Sequence, residues 1–274
     1  MTETWLLRNL RAVRGRAYPR IIGSSREPSW LLFDIALPLL TVAAYAYIYK
    51  FMDAPKEFVG FVILGGAMTA FWLNILWSMA SQLYWEKETG NLSLFMMAPI
   101  SRMSILAGMA VGGLFFTTLR AASTMVIGIV VFGIVLNLSQ PLMLILVFVV
   151  TMIALYGMGM MFASLYLMFG REAYHVSNLM TEPIYLASGL YFPVKALGFW
   201  AAAGASVIPM TLGLDALRQL FYPATGAEYQ FLPVDLELAI LAVLCIVFII
   251  LSKLSLDYME KLGKSSGRLT LRWQ

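Results

Sequence analysis

Residues 141–169 read PLMLILVFVVTMIALYGMGMMFASLYLMF, without one charged side chain. A hydrocarbon core about 30 Å thick is crossed by about 20 helical residues. A helix satisfies its own backbone hydrogen bonds, which is the condition lipid imposes on any segment that enters it. This stretch therefore reads as a helix whose solvent is lipid, and the rest of the chain agrees. Of 274 residues, 61% are hydrophobic and only 12% charged, about half the charged share of a soluble domain.

Working outward, further apolar runs fall at 30–51, 58–82, 103–136, 174–192 and 234–257. Together with 141–169 they predict an all-α membrane protein of six transmembrane helices. The runs 103–136 and 141–169 exceed what a bilayer needs, so they tilt or project into water. Residues 196–217 are also apolar but contain Gly198, Gly204, Pro209 and Gly213. Charge decides how that segment is counted. With six spans, Arg8, Arg11, Arg14, Arg16, Arg20, Arg26, Lys87, Arg102, Arg171, Lys261, Lys264, Arg268 and Arg272 share one side, against Lys50, Lys56, Lys195 and Arg218 on the other. That asymmetry puts both termini in the cytosol. A seventh span would move the basic C-terminal tail outside. The expectation is therefore an external re-entrant hairpin over 193–219, non-helical only where protein or water covers it.

The N-terminal stretch 3–22 places Trp5, Leu6, Leu10 and Val13 near one face and arginines over much of the rest. Such a helix lies in the membrane interface. The arginine-rich first thirty residues contain no long apolar core, so no cleavable signal peptide is expected. The net charge of +4 is distributed around the apolar runs and is no nucleic-acid signal. Cys245 is the single cysteine, so no intrachain disulfide forms.

Between the second and third runs stands Tyr84-Trp85-Glu86-Lys87-Glu88-Thr89-Gly90-Asn91-Leu92-Ser93-Leu94-Phe95-Met96-Met97-Ala98-Pro99-Ile100-Ser101-Arg102. Three charges end the span on the cytosolic side, and Gly90 allows a turn. Leu92 to Ala98 make a short apolar helix, which Pro99 stops by disfavouring helical backbone in the residue before it. Ser101 suits an N-cap of the next span. An apolar helix in the cytosol either docks on a partner, for which Phe95 and Met97 are suited, or lies flat on the membrane.

Here the chain resembles a family. Glu86-x-Glu88-x-Gly90-x-Leu92 followed by Met97-Ala98-Pro99 is similar to the signature of permease subunits of type-2 ABC exporters, which include drug-resistance, nodulation-factor and polysaccharide export permeases. A second match runs through Pro183, Ser188-Gly189-Leu190-Tyr191-Phe192-Pro193, Ile208-Pro209-Met210 and Asp215-Ala216-Leu217-Arg218, and resembles that family's external hairpin. Gly198 stands where the family often has proline. The resemblance covers essentially the whole chain, 1–274, as a single transmembrane domain. It implies that 86–99 is a coupling helix, through Glu86, Lys87, Glu88, Gly90, Leu92, Leu94, Phe95, Met97 and Pro99, docking on a cytosolic ABC ATPase. It implies that 3–22 is a connecting helix at the same interface. It also implies two ATPase copies, a second permease copy or close paralogue, ATP and Mg on the partner ATPase, and residence in the cytoplasmic membrane. The substrate would be hydrophobic or amphipathic.

The chain carries no phosphate-binding loop of its own. Gly263-Lys264-Ser265 supplies the end of one, but its first glycine would fall on Tyr258. No cluster has metal-ligand spacing, and no nucleophile–base arrangement is suggested. Asp34 and Asp257 read as interfacial, Arg120 as a stem that snorkels out of a long run, and His175 as an interfacial ring. Glu182, beside Pro183, either lines a substrate path and favours cations or pairs with a buried partner. Gly108-x-x-x-Gly112 and Gly159-x-x-x-Ala163 permit close helix contact, in the bundle or between copies. A gradient-driven transporter or an assembly scaffold is the alternative; the first would want more intramembrane carboxylates, and the second leaves the cytosolic apolar helix unexplained.

Overall fold

The computed structural model describes residues 4–26, 28–169 and 172–265. Arg171, Arg268 and Arg272, three of the cations used to orient the chain, lie outside the described residues, as does the first residue of the 3–22 segment. The described chain is helical and without strands. It comprises α1 (Trp5–Ser25), α2 (Pro28–Phe51), α3 (Lys56–Leu73), a π-helical segment (Asn74–Ala80), α4 (Gln82–Glu88), α5 (Leu92–Met97), α6 (Arg102–Phe132), α7 (Pro141–Phe169) and α8 (Glu172–Ala187). A 3-10 turn (Val194–Leu197), α9 (Phe199–Ala205), α10 (Pro209–Phe221), α11 (Pro223–Tyr229) and α12 (Val234–Ser265) follow.

Five helical stretches are long and apolar enough to cross a membrane: Leu32–Phe51, Lys56–Glu88, Arg102–Phe132, Pro141–Tyr166 and Val234–Gly263. The pair α9 and α10, bent by 113°, makes a sixth only if counted as one span. The run expected over 174–192 is shorter in the structure. As described, α8 has 16 residues, about 24 Å at 1.5 Å per residue. It stops at Ala187 because Gly189 takes the left-handed region at φ 60° and Pro193 follows four residues later.

The central element is α3. It is apolar on every side, and nearly all of it is buried, as a helix without a polar face must be. Around it, α2 and α6 turn Leu37, Leu40 and Val130 outward, and α12 turns Ile246 outward, where lipid rather than water is the compatible surrounding. On the other side of the bundle α7 packs along α12, and Gly159 of α7 lies against Ile75 and Met79 of the π segment.

The Gly108-x-x-x-Gly112 stripe has a definite use. A Cβ on Gly108 would stand 2.7 Å from the Val13 carbonyl oxygen, and one on Gly112 2.9 Å from that of Ala17. Both are closer than side chains tolerate, so the stripe is the seat on which α1 lies against α6. Asn9 and Ala17 are buried there, while Trp5, Leu6 and Leu10 stay exposed. The face of α1 that meets α6 is thus made by small and polar residues.

Candidate functional site

Three regions bring the sequence-selected residues together: the α5 end of the bundle, the surroundings of the π segment, and the opposite end around Arg218. At the α5 end, Gly90 takes φ 82°, a backbone that glycine adopts freely and that reverses the chain between α4 and α5. Ala98, ahead of Pro99, is extended at ψ 137° and ends α5. Leu92 turns inward at 3% exposure, whereas Leu94 and Met97 are 60% and 74% exposed. Lys87 and Glu88 are half-buried and Pro99 is exposed.

Glu86 is placed differently from a docking residue. It is 5% exposed, accepts a hydrogen bond from Gln82 Nε2 at 3.1 Å, and forms an ion pair with Arg16 of α1. The Arg16 guanidinium also lies 5.1 Å from the centre of the Phe95 ring. One side chain of α1 therefore clasps both α4 and α5. A second clasp is Asn9, whose Oδ1 accepts from the Ser101 backbone N–H and the Ser104 hydroxyl, each at 2.8 Å. Ser101 does occupy the N-cap of α6, but its own hydroxyl makes no capping bond; the Asn9 amide serves that end instead. Arg102 then bonds Glu260 of α12 at 2.7 Å. Sequence reading missed Arg16, Asn9 and Glu260 because their partners lie far along the chain.

Deeper in, Arg20 donates to the Ser78 carbonyl at 3.0 Å and to its hydroxyl. Burial pushes its guanidinium down to about 10, so it is still charged at neutral pH. Its acceptor belongs to the π segment, whose wider turn shifts the hydrogen-bond register and is a frequent mark of functional sites. Asn74, Trp77 and Ser78 of that segment line a cavity of about 750 Å³ whose other walls are Ser24 of α1, α2, α3, α6, α8 and Tyr191. Arg120 does not snorkel: it bonds Asp34 of α2 at 2.6 Å across this cavity, because pairing neutralises both charges where a stem alone would leave each exposed to an apolar wall. Glu182 and Tyr185 come from α8.

At the opposite end, Arg218 is 2% exposed. It donates to the carbonyls of Phe192 at 3.0 Å, Leu190 at 2.9 Å and Phe61 at 3.2 Å. Its cation thus ties α10 to the turn after α8 and to α3. Asp215 accepts from the Phe231 backbone N–H at 2.8 Å and from Gln219 at 3.2 Å. Ser188 and Pro193 are buried, Phe192 is half-buried, and Pro209 starts α10. Gly198 takes φ 83°; proline, fixed near −65°, has no access to that backbone, which accounts for its absence here. Tyr258 and Gly263-Lys264-Ser265 all fall within α12 (Val234–Ser265).

A bundle of several helices long and apolar enough to cross a membrane defines a multi-pass membrane protein. The family model of the ABC-2 type transporter matches residues 20–222. The chain belongs to the ABC-2 type transporter family, and it is the membrane-embedded permease component of an ABC transporter, a kind that works with a cytosolic ABC ATPase. No curated protein matches the chain.

Proposed function

We propose that this permease is an exporter subunit of the cytoplasmic membrane, moving a hydrophobic or amphipathic substrate outward on ATP hydrolysed by separate subunits that hold the nucleotide and Mg. In this reading both termini are cytosolic, and residues 86–99 are the coupling helix. Two permease copies, identical or closely related, work with two ATPase copies. The observation that carries it is the pair Leu94 and Met97, 60% and 74% exposed on a helix outside every candidate span. Apolar side chains held out on a braced helix suit a docking groove better than water.

The hairpin supports the same orientation. A 113° bend between helices of 7 and 13 residues suits a segment that returns to the face it entered, and the charge asymmetry of the six-span reading puts that face outside, so 193–219 is read as re-entrant from the external side. Helix α8 then serves as the fifth span, completed by the turn to Pro193. ATP binding draws the two ATPases together. Their movement passes to α5, then through Glu86, Phe95 and Arg16 to α1, and through α6 to the cavity. Only a difference in how ATP favours the inward- and outward-open states can drive transport.

The test is a pull-down of tagged chain from native membranes, with an ATPase assay of the recovered material. Co-purification of a soluble ATPase, lost in Leu94→Asp/Met97→Asp, is expected. An intact, inserted chain that recovers no ATPase would refute the exporter reading and return attention to a gradient-driven carrier.

A further inference from the structure

The cavity beside the π segment has a charge pattern that selects among substrates. At about 750 Å³ it is of the size that encloses a drug-sized molecule. Asp34 and Tyr45 of α2 both line it; eleven residues apart on one helix, they give it a length of about 16 Å. Proline interrupts both flanking helices, at Pro38 in α2 and Pro183 in α8, so neither wall is a continuous hydrogen-bonded rod.

Three charged side chains line this space: Asp34, Arg120 and Glu182. The first two cancel, at 2.6 Å. Arg20 is spent on Ser78 and is not part of the lining. Glu182 is left. Among the described residues no cation reaches ion-pair distance of it. It is exposed at the cavity rim, and its charge acts on the phenols of Tyr185 and Tyr191. Tyr191 stacks on Tyr45, with ring centres 4.3 Å apart, so the rim beside Glu182 is an aromatic wall. With α8 read as the fifth span, as above, Glu182 is a carboxylate without a counter-ion at membrane depth, which is costly, and aromatic faces attract cations. Each feature favours a positive guest, and neither favours an anion.

We infer that the cavity binds a lipophilic monocation, its charge seated between Glu182 and the rings of Tyr185 and Tyr191, its apolar body toward Leu37, Ala70 and Phe116. This rests on the exporter reading above and names its substrate class. Glu182 acts as the specificity-determining residue, and the Asp34–Arg120 pair keeps the remaining wall neutral.

The experiment is equilibrium binding of radiolabelled tetraphenylphosphonium to the purified permease–ATPase complex in nanodiscs, with tetraphenylborate as the probe of like shape and opposite charge. Saturable phosphonium binding is expected, weakened at least about tenfold, or about 1.4 kcal/mol, by Glu182→Gln and retained in Glu182→Asp. The borate should not bind saturably. Absent phosphonium binding, or binding equal in wild type and Glu182→Gln, or equal binding of borate, would overturn the proposal. Recovery of ATPase activity with the wild-type chain is scored separately, so a complex that forms but ignores the phosphonium refutes the substrate class and leaves the exporter reading standing.

Discussion

Replacing either member of the Arg16–Glu86 pair tests how α1 is joined to the α4–α5 segment. Glu86 is nearly sealed, with 6% of its side chain exposed, while Arg16 keeps 24%. Breaking a fully buried pair costs about 3–5 kcal/mol, because one charge is left uncompensated, and an exposed pair contributes about 0–1 kcal/mol. A pair buried on one side and open on the other falls between, at about 2–3 kcal/mol for Arg16→Met or Glu86→Met. The double variant removes both charges, and apolar replacement of a buried pair is often nearly neutral. Its loss should be well under the sum of the singles, leaving an interaction energy of about 2 kcal/mol. Thermal midpoints of the four proteins in detergent give the cycle, and transport per ATP hydrolysed gives the functional counterpart, expected to fall most in the singles. Losses that add to within about 0.3–0.5 kcal/mol, with transport unaffected in the singles, would show that the two groups are not coupled and that α1 is not braced through Glu86.

Other perturbations follow from the same contacts. Gly108→Val puts a branched side chain where a Cβ alone would meet the Val13 carbonyl at 2.7 Å; a loss of about 1–3 kcal/mol is expected, seen as faster tryptic cleavage at Arg11 and Arg14 when α1 leaves its seat. Arg218→Met strips the donor from three carbonyls and should cost about 2–4 kcal/mol, measured as a lower thermal midpoint. Arg218→Lys should recover only part of this, since an ammonium cannot fork between acceptors. Arg120→Asp alone should lower the amount of folded protein in the membrane by setting two carboxylates face to face, and the exchange Asp34→Arg/Arg120→Asp should restore it.

Much of this molecule was legible in its sequence because lipid leaves few choices. Apolar runs marked α2, α6 and α7 to within a few residues; the run 58–82 took in the π segment and the start of α4 with α3, the run 234–257 stopped short of the end of α12 at Ser265, and Gly90 and Pro99 marked the bounds of α5. What escaped was the joining of distant residues. Arg120 and Asp34 are 86 positions apart, and each was read alone as interfacial or snorkelling. Glu86 was grouped with the docking surface, whereas its burial against Arg16 makes it a brace behind that surface. The glycine stripe at Gly108 announced a close contact without naming its partner. The π segment has no signature in composition; it shows only in the Ser78 and Asn74 groups that it turns toward Arg20 and Tyr156. Helix α8 fell short of its apolar run because hydropathy does not register the left-handed turn at Gly189.

If α5 is the coupling helix, its exposed face meets an ATPase in the cell. With Cys245→Ser as a background free of native thiol, a photo-crosslinking residue at Met97 reports what covers that face in the cell, and the same residue at Trp200, 85% exposed on α9, reports the opposite end. The prediction is a covalent adduct of Met97 with a soluble ATP-hydrolysing subunit and none from Trp200. Capture of lipid alone at Met97, or of the ATPase at Trp200, would contradict both the coupling assignment and the orientation of the chain.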